Sequence, residues 1–260
     1  MSMARRGARL GQHFLTGQWA AAALVEAAGV RPGEIILEIG PGKGALTREL
    51  LKTGARVVAI EKDEALVAQL RETFAQEIQN GQLTVVSKDI RNFDPRSLGA
   101  YIVAANIPYY ITGEIIRQFL ETRMQPRAVA LLVQKEVAQR IATGAKESIL
   151  SLSVKAYGCP KLIAKVPRGN FSPPPSVDSA ILLVDNISKE FFDGISEKAF
   201  FDCLHAGFAS KRKFLANNLG VKFGKEEAAR ALAACGINAK ARAEDVPLAT
   251  WKCLVKNLAH

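Results

Sequence analysis

The sequence predicts an α/β protein, a largely parallel sheet covered by helices on both faces, followed by a small all-helical domain. Two observations predict it. From about Thr16 to residue 184, short β-branched apolar runs alternate with longer stretches of helical periodicity, the rhythm of βαβ units. After about Asp185 the strand-like runs stop, and apolar residues recur at helical spacing to near the end of the chain. The expected division is therefore a sheet domain over 1–184 and a helical domain over 185–260.

Taken in order, the segments 35–40, 56–60, 83–86, 101–105, 128–133 and 180–184 read as strands, being short, apolar and rich in Val and Ile. Between them the stretches 45–52, 64–80 and 113–122 are amphipathic at helical period. An early apolar stretch, 19–30, is shorter than the ~20 residues that span a bilayer and contains Glu26, so it reads as a helix on the core. In the second domain the helical spacing runs through 197–219, 225–235 and 248–258. Ligands of such sheets sit beyond the carboxyl ends of the strands, so the chemistry is expected in the residues that follow each strand.

Composition narrows the partners. The chain is 48% hydrophobic and 23% charged, as a soluble globular protein is, with a net charge of +10 at pH 7. A basic protein of this size suits a polyanion, because each neutralised phosphate releases condensed counterions. Arg5, Arg6 and Arg9 lack a following apolar run, which argues against a secretory signal. Cys159, Cys203, Cys235 and Cys253 are scattered with no C-x-x-C pair, so no metal site is expected and reduced thiols are the default.

The first strand leads into Glu38-Ile39-Gly40-Pro41-Gly42-Lys43-Gly44. Glycines here let the backbone turn tightly and approach a ligand, although Gly40, Gly42 and Ala45 satisfy the dinucleotide fingerprint as well. Nineteen residues after Gly42, Glu61 ends the second strand, where a carboxylate can accept two ribose hydroxyls. Two features favour a methyl donor over a nicotinamide. Glu38 precedes the first glycine by two residues, and Asp89-Ile90 follows the third strand, where the carboxylate can accept an adenine amino group. Acids at three strand ends suit a positively charged sulfonium, and S-adenosylmethionine is the cofactor expected.

Asn106-Ile107-Pro108-Tyr109 follows the fourth strand. The exocyclic N6 of adenine is a poor nucleophile because its lone pair is delocalised into the ring. The Asn106 side-chain oxygen and the Ile107 carbonyl, held by the rigid Pro108, can each accept an N6 hydrogen and localise that lone pair. Tyr109 offers a flat face for the base. Further on, Pro173-Pro174-Pro175 should hold the chain extended and present Phe171 to the opposite face of the base.

With these residues in place the chain resembles the ribosomal RNA adenine N6-dimethyltransferase family, in particular its small-subunit branch. The similarity runs from Leu10 to near Leu258 and includes Leu10–Leu15, Glu38–Gly44, Glu61, Asp89, Asn106–Tyr110, Phe171–Ser179 and the Lys211–Leu219 run. It implies a Rossmann-like S-adenosylmethionine-dependent methyltransferase sheet with a small helical C-terminal domain. By the same resemblance His13, Leu15, Gly40, Glu61, Asp89 and Asn106 contact the cofactor, while Asn106, Tyr109 and Phe171 handle the base. It further implies two methyl groups on each of two adjacent adenines of small-subunit rRNA within the small ribosomal subunit, by a cytoplasmic monomer. His13 stands where the family usually has Asn, and 144–148 lacks the Tyr-Gly often found there. Arg5, Arg6 and Arg9, with Lys211, Arg212 and Lys213 on a helix of the second domain, are the densest basic clusters and the expected RNA contacts. Three other functions stay open: the large-subunit branch, a non-catalytic assembly or transcription factor on the same fold, and a nicotinamide oxidoreductase. Gly11-Gln12 and Arg242-Ala243-Glu244-Asp245 argue against the first, and the intact Asn106–Tyr109 against the second.

Overall fold

A computed structural model of the chain describes residues 13–258. The described residues form two compact units, 13–139 with 159–187 and 140–158 with 188–258. Arg5, Arg6 and Arg9 lie outside the described residues.

The first unit is built on nine strands: β1 (Phe14–Leu15), β2 (Ile35–Ile39), β3 (Arg56–Glu61), β4 (Leu83–Ser87), β5 (Tyr101–Asn106), β6 (Val129–Gln134), β7 (Cys159–Val166), β8 (Phe171–Ser172) and β9 (Ser179–Asp185). Seven of them form one sheet in the order β4-β3-β2-β5-β6-β9-β7, and β1 pairs with β8 apart from it. Strands β2 to β6 are parallel; β9 runs antiparallel to both its neighbours. The interiors of the central strands are apolar, Glu38 of β2 apart, because helices cover both faces: Ile102, Val103, Ala104 and Ala105 are all but inaccessible. Register fixes the site, since Ile39 lies opposite both Ile60 and Ala105, and Glu61 opposite Ser87. The residues just after β2, β3, β4 and β5 are thus brought to one edge.

Five helices serve this sheet, α1 (Gln18–Ala28), α2 (Ala45–Leu51), α3 (Glu64–Thr73), α4 (Ala75–Gln79) and α5 (Thr112–Glu121), and α6 (Lys135–Ala142) follows β6. The amphipathic stretch expected over 64–80 is two helices because Phe74 leaves the helical conformation between them. Its ring is buried where a Cβ on Gly44 would approach within 2.5 Å, so that glycine is required by close packing as well as by its positive φ of 80°.

The second unit holds α7 (Ile149–Tyr157), α8 (Glu197–Gly207), α9 (Leu215–Phe223), α10 (Lys225–Ala234) and α11 (Leu248–Leu258). It includes residues 140–158, which the expected boundary at 184/185 assigns to the sheet domain. The physical reason lies in α7. Ser148 and Ser151 close a capping box at its start, and at its end the Tyr157 ring meets Phe192 at 5.0 Å and Phe201 at 6.1 Å. The Tyr157 carbonyl also accepts from the Ser188 amide.

Two further expectations are corrected here. Cys235 and Cys253, separated by 18 residues, are joined in a disulfide rather than standing as reduced thiols; the packing of α10 beside α11 brings their Cα atoms to 5.9 Å. Lys211, Arg212 and Lys213 form a turn ahead of α9, closed by the Lys213 amide on the Ser210 carbonyl, and not part of a helix. All three are exposed there. Among the described residues no helix is long and apolar enough to cross a membrane.

Candidate active site

The ends of β2, β3, β4 and β5 and the strand β1 line an open cleft. Of the residues singled out from the sequence, His13, Leu15, Glu38, Gly40, Gly42, Glu61, Asp89, Ile90, Asn106, Ile107, Pro108 and Tyr109 line it. Gly40 and Gly42 both have positive φ, and a Cβ on Gly42 would come within 2.9 Å of the Phe14 ring.

The three acids sit in three different environments. Glu61, nearly buried, accepts backbone N–H bonds from Gly42 (3.2 Å), Lys62 (2.8 Å) and Asp63 (3.0 Å), so it ties the glycine loop to the end of β3. Asp89 caps the short 3-10 turn Ile90–Asn92 and is gripped by Arg91 through its backbone amide (3.0 Å), Nε (3.0 Å) and Nη2 (2.5 Å). That guanidinium holds the Asp89 carboxyl down at about 2. Glu38 is the opposite case. Burial pushes it up to about 8, the neighbouring Thr47 offsets this in part, and the Glu61 charge adds to it. Of the three acids at the strand ends, Glu38 is therefore largely protonated at neutral pH.

Both Glu38 oxygens lack a hydrogen-bond partner although they are fully buried. An unpaired buried carboxyl at a cleft wall fits a ligand that brings its own donors, because leaving such a group unsatisfied is costly. The amino-acid end of S-adenosylmethionine has that chemistry, and the glycine loop leaves backbone room beside it. The donor set fits the expected cofactor.

Across the cleft, the Asn106 amide nitrogen donates to the His13 carbonyl at 2.9 Å. A carbonyl only accepts, so the bond fixes which way the amide points and turns Oδ1 away from it. No described residue bonds that oxygen or the Ile107 carbonyl. Tyr109 shares a 2.7 Å hydrogen bond with the Ser179 hydroxyl, and its ring stacks on His13 with centroids 5.9 Å apart. His13 Nδ1 lies 2.8 Å from the Pro173 carbonyl, so Nδ1 carries the hydrogen. The Phe171–Ser179 segment thus braces the site from behind, through Pro173 and Ser179.

Phe171 is not among the residues that line the cleft. It is 3% exposed, pairs with Leu15 across β1 and β8, and packs in the hydrophobic core of the first unit. The Ser172–Pro173 peptide, which leads into the three prolines, is cis. Sequence reasoning missed Ser179, whose hydroxyl holds Tyr109, and the lining residues Lys43, Lys62, Lys88, Arg91 and Tyr110. The cations were legible as residues next to strand ends, but charge alone says nothing about which way they face.

Solved methyltransferases share this architecture. The 23S rRNA methyltransferase ErmE superposes with a TM-score of 0.76 at 26% identity, covering 95% of this chain and all of that one. A dimethyladenosine transferase from Plasmodium falciparum superposes at 0.81 over 93% of this chain and 96% of its own; at 23% identity it speaks for the fold alone. The fold and its cleft are those of a Rossmann-like methyltransferase. The model of the ribosomal RNA adenine dimethylase family matches residues 3–260, and the chain belongs to that family. The ribosomal RNA small subunit methyltransferase A of Dehalococcoides mccartyi strain CBDB1 is 41% identical over 258 residues, 96% of this chain and 87% of the relative. Its counterpart in Thermosynechococcus vestitus is 38% identical over 97% of this chain and 96% of the relative.

Proposed function

We propose that the protein uses S-adenosylmethionine to dimethylate the N6 amine of two adjacent adenines in small-subunit rRNA, acting in the cytoplasm as a monomer on the maturing small ribosomal subunit. The observation that carries the chemistry is the fixed Asn106 amide, whose Nδ2 is held on the His13 carbonyl so that Oδ1, bonded by no described residue, is left to accept. Oδ1 and the Ile107 carbonyl each accept one N6 hydrogen, which draws the nitrogen lone pair out of ring conjugation and localises it. Tyr109, braced by Ser179, supports the base by stacking. The cofactor supplies an electrophilic methyl group. Glu61 binds its ribose, Asp89 and Ile90 its adenine, and Glu38 with Gly40 and Gly42 its amino-acid end, while His13 and Leu15 cover it. No strong base is needed, because the methylated amine is acidic enough to release its proton to water. Lys211, Arg212 and Lys213, together with Arg5, Arg6 and Arg9, meet rRNA phosphates in this reading, and the second unit is the ribosome-contacting domain.

The test is methyl transfer from labelled cofactor to undermethylated small subunits, with large-subunit rRNA as the control and the modified bases mapped. Label on two adjacent small-subunit adenines is the expected result. Label on the large-subunit RNA, or none on either, overturns it.

A further inference from the structure

The cleft has an acidic floor and a cationic rim. Lys43, Lys62 and Lys88 line its mouth, and all three are exposed. They follow three neighbouring strands: Lys62 comes directly after β3, Lys88 directly after β4, and Lys43 lies in the glycine loop after β2. Adjacent strands are about 4.8 Å apart, so the loops set these cations out in a row along one edge. None of the three forms an ion pair with a described residue, whereas the neighbouring Arg91 is taken up by Asp89. Lys43 rests over the Phe14 ring, 5.2 Å from its centroid, which keeps that ammonium at the cleft.

A net-cationic cofactor gains nothing from three more positive charges at its entrance. The partner that suits this rim is an anion lying outside the cofactor. We propose that Lys43, Lys62 and Lys88 form a phosphate-binding track for the RNA that flanks the target adenine, on the cofactor side of the cleft. This rests on the reading of rRNA as substrate. The track draws the strand across the mouth once the cofactor is in place, and the phosphates then offset the like charge that the rim presents to it.

The experiment compares the parent with a triple Lys→Gln variant and a triple Lys→Arg variant at these positions. Cofactor affinity is measured by calorimetry, and binding to undermethylated small subunits is measured over a range of salt. In the Gln variant we expect cofactor affinity equal to the parent's or up to about two-fold tighter. Particle binding should fall about ten-fold or more near physiological salt, and the slope of log affinity against log salt should become shallower by about 2 to 3, at roughly 0.7–0.9 per phosphate no longer neutralised. The Arg variant should restore both slope and affinity. A Gln variant with the parent's slope overturns the track and leaves these lysines as a solvated rim. Loss of cofactor affinity overturns it too, by assigning the lysines to the cofactor carboxylate. A parent that does not bind small subunits at all overturns the rRNA reading itself, and the track with it.

Discussion

Burial leaves Glu38 largely protonated at neutral pH, and the sign of its effect on stability follows from that. Its folded value of about 8 lies above the ordinary 4.5, so the folded state binds the proton more tightly than the unfolded chain does. The contribution is fully present below pH 4.5, declines as pH rises toward 8 and is gone beyond it. Glu38→Gln should abolish that decline. Thermal denaturation of variant and parent should show a difference in Tm that grows in the variant's favour between pH 5 and 8.5; a constant difference would contradict the account. Asn106 is tested through rate. Asn106→Ala should lower kcat by about 10²–10³ with little change in RNA affinity, since its acceptor acts on charge developing at N6. Single-turnover methylation beside equilibrium RNA binding separates the two, and turnover at the parent rate would remove Asn106 from the mechanism. The orientation of this amide depends on a main-chain carbonyl, that of His13. Exchange of the residue 13 side chain, His here and Asn by family habit, leaves that acceptor in place.

Among the elements, the paired β1 and β8 decide what Phe171 does. If its ring is a core residue, Phe171→Ala should cost ~3–5 kcal/mol of stability, while Phe171→Leu should keep most of both stability and kcat. If Phe171→Leu folds as the parent does yet loses turnover many-fold, the ring has a part in holding the base. The elements also show what the sequence could and could not disclose. Every interior strand was legible within a residue or so, because two covered faces demand an unbroken apolar run such as Ile102–Ala105. Strand β7 was not. It is an edge strand whose Pro160, Lys161 and Lys165 interrupt any such run, as edges exposed to water favour. The floor of the cleft was legible because glycines and acids after strand ends have few other uses. The bracing by Ser179 and Pro173 was not, since it joins segments far apart in the chain. The protonation of Glu38 depends on burial, which its neighbours in sequence do not reveal.

Taken as a whole molecule, the protein carries its cleft in the first unit and the exposed Lys211–Lys213 turn in the second. Replacing Lys211, Arg212 and Lys213 with Ala should weaken binding to the small subunit and flatten its salt dependence, by ~0.7–0.9 in slope for each phosphate left without its cation, while cofactor affinity stays unchanged. Identical slopes would assign the turn to solvent. The cysteine pair, too, belongs to the second unit alone, where it clasps the end of α10 to α11. That unit is discontinuous, since its first piece, residues 140–158, is separated from the rest by β7, β8 and β9. The order of synthesis then matters. Helix α7 emerges early with Leu152, Val154 and Tyr157 destined for burial, but the rings that cover Tyr157 follow only after residue 190 and the closing helix α11 only after residue 247. At ~5–20 residues per second, the nascent chain carries an unfinished apolar helix for about 5–20 s, the interval in which a chaperone would find it.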